Sequence, residues 1–170
     1  MKTIVLGIGN RILRDDGIGP AVIRELESFS RSPGVFLGDT NLCGMPLLDL
    51  ITGYDTLIII DAIQGGAATG TIQWMPAEHF KSPSGTPSQH EMNIFRVLEL
   101  GRQLGIKVPS EVKIMAIEAH DVTSFGEYLT PEVAAVIPRA AAAIIKEITI
   151  LEGTRQSAAL QSPFSASMAE

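Results

Sequence analysis

Three side chains stand where chemistry could be done: Asp16, Asp61 and His90. Asp16 follows Asp15 in a stretch fenced by glycines, Gly7-Ile8-Gly9-Asn10-Arg11-Ile12-Leu13-Arg14-Asp15-Asp16-Gly17-Ile18-Gly19. Asp61 ends the apolar run Leu57-Ile58-Ile59-Ile60. His90 follows Ser88-Gln89 and precedes Glu91, a capping-box pattern that puts the imidazole in the first turn of a helix. The positive end of the dipole there disfavours imidazolium and favours the neutral ring that a metal needs. Two carboxylates and one imidazole make a mixed oxygen and nitrogen set, suited to a borderline divalent metal such as zinc, nickel or iron. The same groups could serve as acid and base. No local motif supplies a Ser/His/Asp or Cys/His nucleophile.

Several familiar motifs are excluded by single residues. A dinucleotide fingerprint needs glycine where Ile12 stands, and no Gly-Lys-Ser/Thr follows to make a phosphate loop. Asp15 and Asp16 would in any case repel a pyrophosphate. A zinc-protease HExxH helix needs a second histidine where Ile94 stands. Cys43 has no neighbouring histidine or basic residue to lower its pKa, and reads as a packed thiol. Asp39 reads as a strand-end residue. Glu118, His120 and Asp121 match no metal motif and read as the rim of a cleft.

The elements that must position these residues follow from periodicity. Thr3 to Leu6 is a buried strand, and Ile18, Val22, Leu26 and Phe29 then fall at helical spacing. Asp15 and Asp16 are expected at the start of that helix, where carboxylates suit the free N–H groups. A second strand runs over Val35–Gly38, a helix over Met45–Thr52, and a central strand over Leu57–Ile60 with Asp61 at its carboxyl end. The link from Ala62 to Ala68, with Gly65-Gly66, is too short for a parallel crossover. The strand Gly70–Met75 is therefore expected to run antiparallel. A Pro- and Ser-rich loop, 76–88, is expected to border the cleft at its His90 end. Met92, Phe95, Leu98 and Leu104 mark the apolar face of the next helix, and Val112–Ala119 is the fifth strand. Thr130-Pro131-Glu132 opens the last helix, which Pro138 should kink or divide. The prediction is a single-domain, three-layer α/β fold over 1–150: a five-stranded, mostly parallel twisted sheet, helices on both faces and one antiparallel strand. Residues 151–170, small and polar from Gly153 on, are expected as a flexible tail. In open α/β sheets the crevice beyond the strand carboxyl ends is where ligands bind.

Composition narrows the function classes. The chain has 170 residues, 13 Lys plus Arg against 19 Asp plus Glu, and a net charge of −6. No basic cluster exists to neutralise phosphates, so no nucleic-acid partner is expected. One cysteine leaves no intramolecular disulfide. No signal peptide is evident and no apolar run approaches the ~20 residues of a membrane span. A cytoplasmic protein without membrane contacts is expected. From the residues alone, the reading ends at an α/β protein with a transition-metal cleft.

The sequence also resembles the nickel-iron hydrogenase maturation endopeptidases. The resemblance rests on the Gly7–Gly19 opening, on Asp61-Ala62 after an apolar strand with a glycine turn and Gly70 beyond, and on His90 at a helix start. Ile117-Glu118-Ala119 before a loop and Leu129-Thr130-Pro131 match as well. It implies a twisted sheet with helices on both sides, and a metal-contacting trio at Asp16, Asp61 and His90. It also implies the activity: removal of a short C-terminal peptide from the hydrogenase large-subunit precursor after nickel insertion. The nickel would be carried by the substrate, with no nucleotide cofactor, and the protein would act as a monomer. Two chemistries stay open. A metal could polarise the scissile carbonyl or an attacking water, with Asp16 or Asp61 as base; or the trio could read nickel while another group activates water. The competing class is a non-enzymatic α/β module that senses a metal or nucleotide.

Overall fold

The computed structural model describes residues 2–29, 32–42, 44–76 and 89–161 of the chain, and the side chains among them except those of 76, 89–93 and 155–161. Five strands form one sheet in the order β2-β1-β3-β5-β4. They are β1 (Thr3–Ile8), β2 (Val35–Thr40), β3 (Thr56–Ile63), β4 (Ile72–Pro76) and β5 (Glu111–Glu118). All neighbours are parallel except β4 and β5, which pair antiparallel. The short glycine link after β3 thus has the expected consequence. Helices α1 (Ile18–Leu26), α2 (Met45–Ile51), α3 (Gln89–Gln103), α4 (Pro131–Ala134) and α5 (Ile137–Gln161) cover the two faces.

Strand alternation sorts the core into two layers. Val5, Ile58, Ile60, Met115 and Ile117 pack with α1, α4 and α5 through Val22, Ile23, Val133 and Ile144. Ile4, Leu6, Ile8, Leu57, Ile59 and Ile114 pack the other way, against Leu47, Leu48 and Ile51 of α2 and Ile94, Val97 and Leu98 of α3. Strands buried on both faces read as continuous apolar runs, which is why Leu57–Ile60 lacks alternation in sequence.

Some boundaries differ from expectation. β3 continues to Ile63, so Asp61 lies within the strand, paired with Ala116, rather than closing it. α1 stops at Leu26, and Phe29 is exposed beyond it. The buried face of α3 is Ile94, Val97 and Leu98, while Leu104 is exposed. The last helical stretch is divided, as Pro138 suggested, but the break falls at Ala135–Val136 and Pro138 becomes the second residue of α5. A proline costs nothing there because first-turn N–H groups lack intrahelical partners. α5 runs to Gln161, well into the segment expected as a tail. Residues 162–170, Cys43 and the stretch 77–88, expected above as a loop bordering the cleft, lie outside the described residues. Among those described, no helix is long and apolar enough to cross a membrane.

Candidate functional site

The glycine-fenced segment folds as a 3-10 turn, Arg14–Gly17, between β1 and α1. Asp15 and Asp16 are therefore in the turn before α1; the residue at the helix N-cap is Gly17, and no side chain caps it. Two glycines make this close approach possible. A Cβ on Gly19 would stand 2.5 Å from the carbonyl oxygens of both Ile8 and Ile60, so α1 begins directly against the β1 and β3 backbones. Gly9, at φ +141°, has the Asp16 carbonyl where a Cβ would be. The turn consequently packs on β3 at the carboxyl edge of the sheet.

Asp16 is 9% exposed, and its Oδ2 accepts the Asn10 N–H at 2.5 Å. Asp61 is fully buried, and its Oδ1 accepts the N–H of Ala62 at 2.9 Å. By strand alternation Asp61 shares the face of Leu57 and Ile59, the face that α3 covers. α3 precedes β5, a strand parallel to β3, and its far end meets the amino edge, where Gly53 N–H donates to the Lys107 carbonyl. Fifteen helical residues span about 22 Å. The first turn of α3, with His90 as its second residue, is therefore at the carboxyl edge as well. The turn that carries Asp16 is thus in contact with the strand that carries Asp61, and the length of α3 directs the helix start that carries His90 toward the same edge. The His90 side chain lies outside the described residues, and among those described no three His, Cys, Asp or Glu side chains group to hold a metal ion. The two carboxylates suit a divalent cation by donor chemistry.

Asp15 has a role that the sequence reading missed. It is fully buried, and its carboxylate does not serve α1. Its Oδ2 accepts His120 N–H at 3.1 Å, Asp121 N–H at 3.0 Å and the Thr130 hydroxyl at 2.9 Å. Its Oδ1 accepts Thr130 N–H at 2.6 Å. The Asp15 N–H in turn donates to the Asp121 carbonyl at 3.0 Å. Asp15 thereby joins the turn to both ends of the loop between β5 and α4. Thr130, at the N-cap of α4, spends its hydroxyl on Asp15 and not on its helix. No local pattern signals this, because the partners are more than 100 residues apart.

Two of the residues expected at the cleft rim, Glu118 and Asp121, bond backbone N–H groups of nearby loops. Glu118 Oε1 accepts Gly66 N–H at 2.7 Å and holds the link after β3. Asp121 Oδ1 accepts the N–H groups of Ser124 at 2.9 Å and Thr123 at 3.2 Å. Those bonds, with Arg14 nearby, depress its pKa to about 2. Asp39, at the end of β2, pairs with Arg11 at 2.7 Å.

A family model described as hydrogenase maturation protease matches residues 20–147. That match begins just after the Gly7–Gly19 opening, so the two signals are independent. The chain is 29% identical over 145 residues to the hydrogenase expression/formation protein HupD of Rhizobium leguminosarum bv. viciae, covering 82% of this chain and 70% of HupD. It is 30% identical over 135 residues to the hydrogenase expression/formation protein HoxM of Azotobacter vinelandii, covering 78% and 65%. Among solved structures it superposes on the hydrogenase maturating endopeptidase HybD from E. coli with a TM-score of 0.77 and 28% identity, over 88% of this chain and 93% of that one. With that family model matching three quarters of its length and its fold in agreement, the chain belongs to the hydrogenase maturation protease family.

Proposed function

We propose that this protein is the endopeptidase that removes a short C-terminal peptide from a nickel-iron hydrogenase large-subunit precursor after nickel insertion, and that Asp16, Asp61 and His90 meet the nickel the substrate carries. The observation that supports this reading is the packing of the Asp16 turn onto β3, the strand that carries Asp61. Membership in a family of hydrolases favours it over a non-enzymatic sensing module. The chain's own contribution is orientation. Asp61 is immobilised within a paired strand, and Asp16 is held by the Asn10 N–H in a turn with no room for a Cβ at Gly9. A nickel ion held by such a set would supply a positive centre able to polarise a carbonyl. The protein acts as a monomer in the cytoplasm, without nucleic acid or membrane; its net charge of −6 supports the absence of a phosphate-binding surface.

Incubating the protein with nickel-loaded precursor should yield a shortened large subunit by mass spectrometry, and nickel-free precursor should stay intact. Asp16→Ala should lower processing at least 100-fold, with a thermal midpoint within a few degrees of wild type. Processing at the normal rate would remove Asp16 from the site.

A further inference from the structure

The loop 119–130 is unusual in combining fixed backbone with exposed aromatic rings. Phe125 is 85% exposed and Tyr128 is 84% exposed. Rings left in water on a fraying loop would need no explanation. This loop is fastened along its length. Asp15 holds both ends, and Asp121 takes the Thr123 and Ser124 N–H groups. The middle is bonded too: Arg14 N–H donates to the Gly126 carbonyl at 2.9 Å, and Gly126 N–H donates to that of Ile12 at 3.0 Å. Arg14 adopts the left-handed φ of +46° to make this pairing, a conformation that costs free energy for a residue with a Cβ. A buried carboxylate and a strained arginine thus hold in place a loop whose largest side chains touch little of their own protein. Pre-ordered aromatic rings are what a binding surface uses, because the ordering entropy is met before the partner arrives.

The surface continues into a groove of about 360 Å3 lined by Arg11, Ile12, Arg14, Arg24, Glu127 and Leu129, with Gly17, the neighbour of Asp16, at its margin. Arg11 pairs with Asp39 and Arg14 with Asp121, while Arg24 makes no ion pair with any described residue. A guanidinium has five N–H donors, so each keeps several for peptide carbonyls or carboxylates. Two rings at about 150–250 Å2 each fall short of the roughly 800 Å2 per partner of a stable dimer. That size fits a partner that binds and leaves.

We propose that Phe125 and Tyr128, with the groove edged by Arg24, form the docking surface for the hydrogenase large-subunit precursor, taking an apolar stretch of it on the two rings and an acidic or carbonyl-rich stretch at the arginines. This rests on the functional reading above and adds the residues that select the substrate. Unlike Asp16, they touch no reacting atom.

The test uses the full chain and nickel-loaded precursor from the same cells, with precursor affinity by calorimetry and processing by mass spectrometry. Phe125→Ala with Tyr128→Ala should raise KM and Kd at least tenfold and change kcat less than twofold. Arg24→Glu should raise KM at least threefold. Leu104→Ala, exposed at the opposite edge of the sheet, should leave both within twofold. The substituted rings are exposed, so the thermal midpoint should not move. Processing by the double variant with wild-type KM overturns the docking proposal and leaves the protease reading standing. Tight binding without cleavage by the wild type overturns the protease reading, and a tenfold weaker Kd in the double variant then upholds the docking surface. Loss of a dimer in sedimentation, with Kd for the precursor unchanged, assigns the rings to a second copy of the chain and overturns the proposal.

Discussion

Asp15 and Glu118 are both buried carboxylates, and each ties down a loop at the carboxyl edge of the same sheet, but they are bonded very differently. Asp15 takes three backbone N–H groups and a hydroxyl across its two oxygens. Glu118 takes one N–H, that of Gly66, on Oε1, and its Oε2 has no hydrogen-bond partner among the described residues. A buried carboxylate is costly unless donors replace its lost water, and two or three charge-assisted bonds are needed to do so. The loop 119–130 is therefore held by a saturated anion, and the link after β3 by a half-satisfied one. The difference matches the parts they hold. One displays exposed rings in a fixed arrangement; the other is a short turn between β3 and β4, both of which are paired with β5.

The same substitution, carboxylate to amide, should act with opposite signs at the two positions. Asp15→Asn strips at least one backbone N–H of its acceptor whichever way the amide turns, and the N–H of buried Thr130 is among those at risk. It should destabilise the fold by about 2–3 kcal/mol, the range for losing charge-assisted bonds at a buried site. Chemical denaturation would show this as a lower midpoint with an unchanged slope. Hydrogen exchange should then quicken over 119–130 before the core strands. Equal stability of wild type and variant would mean that the loop is held by something other than Asp15.

Glu118→Gln keeps an acceptor for Gly66 N–H and removes a charge from a site only 3% exposed. It should be neutral or stabilising by up to about 1 kcal/mol, because an amide is cheaper to bury than a carboxylate with one donor. A loss of more than about 1 kcal/mol in the same denaturation assay would break the contrast and show that the Oε2 charge has a use.

The smallest effect is expected from acid. The N–H groups of Ser124 and Thr123 hold the Asp121 carboxyl at about 2, below its ordinary 3.8. A depressed carboxyl pKa contributes stability that is complete above about 3.8 and is lost as pH falls through about 2. Amide resonances of Thr123 and Ser124 should therefore shift within that window. Because Asp121 is only half-buried and its carboxylate hydrogen bonds stay within one loop, the global midpoint should hardly follow it. Opening of the whole loop above pH 4 would show that Asp121 does not set its acid limit.

Much of this was legible in local pattern. Apolar runs and periodicity mark the five strands, and the length of the link after β3 alone dictates that β4 turns back, since a parallel return needs a crossover. Asp61 after a β-branched run, and His90 at a helix start, also follow from local rules, as does the division of the last helical stretch near Pro138. Boundaries were less legible. β3 extends past Asp61 because its partner β5 supplies a ladder through Glu118, which the residues of β3 alone do not announce.

The sequence by itself determined which residues are of a type that could do chemistry, and that Asp16 and Asp61 lie toward the carboxyl edge of one mostly parallel sheet, because strands and helix starts are encoded within a few neighbouring residues. Only the tertiary structure decided what each of the paired aspartates does. Adjacent in the chain and alike in chemistry, Asp15 and Asp16 part because successive side chains in a tight turn point in different directions. One meets a loop more than 100 residues away and becomes an anchor. The other stays at the β3 edge, beside Gly9 and Asn10. Contacts across that separation depend on how the sheet stacks its loops, and no short-range pattern records them.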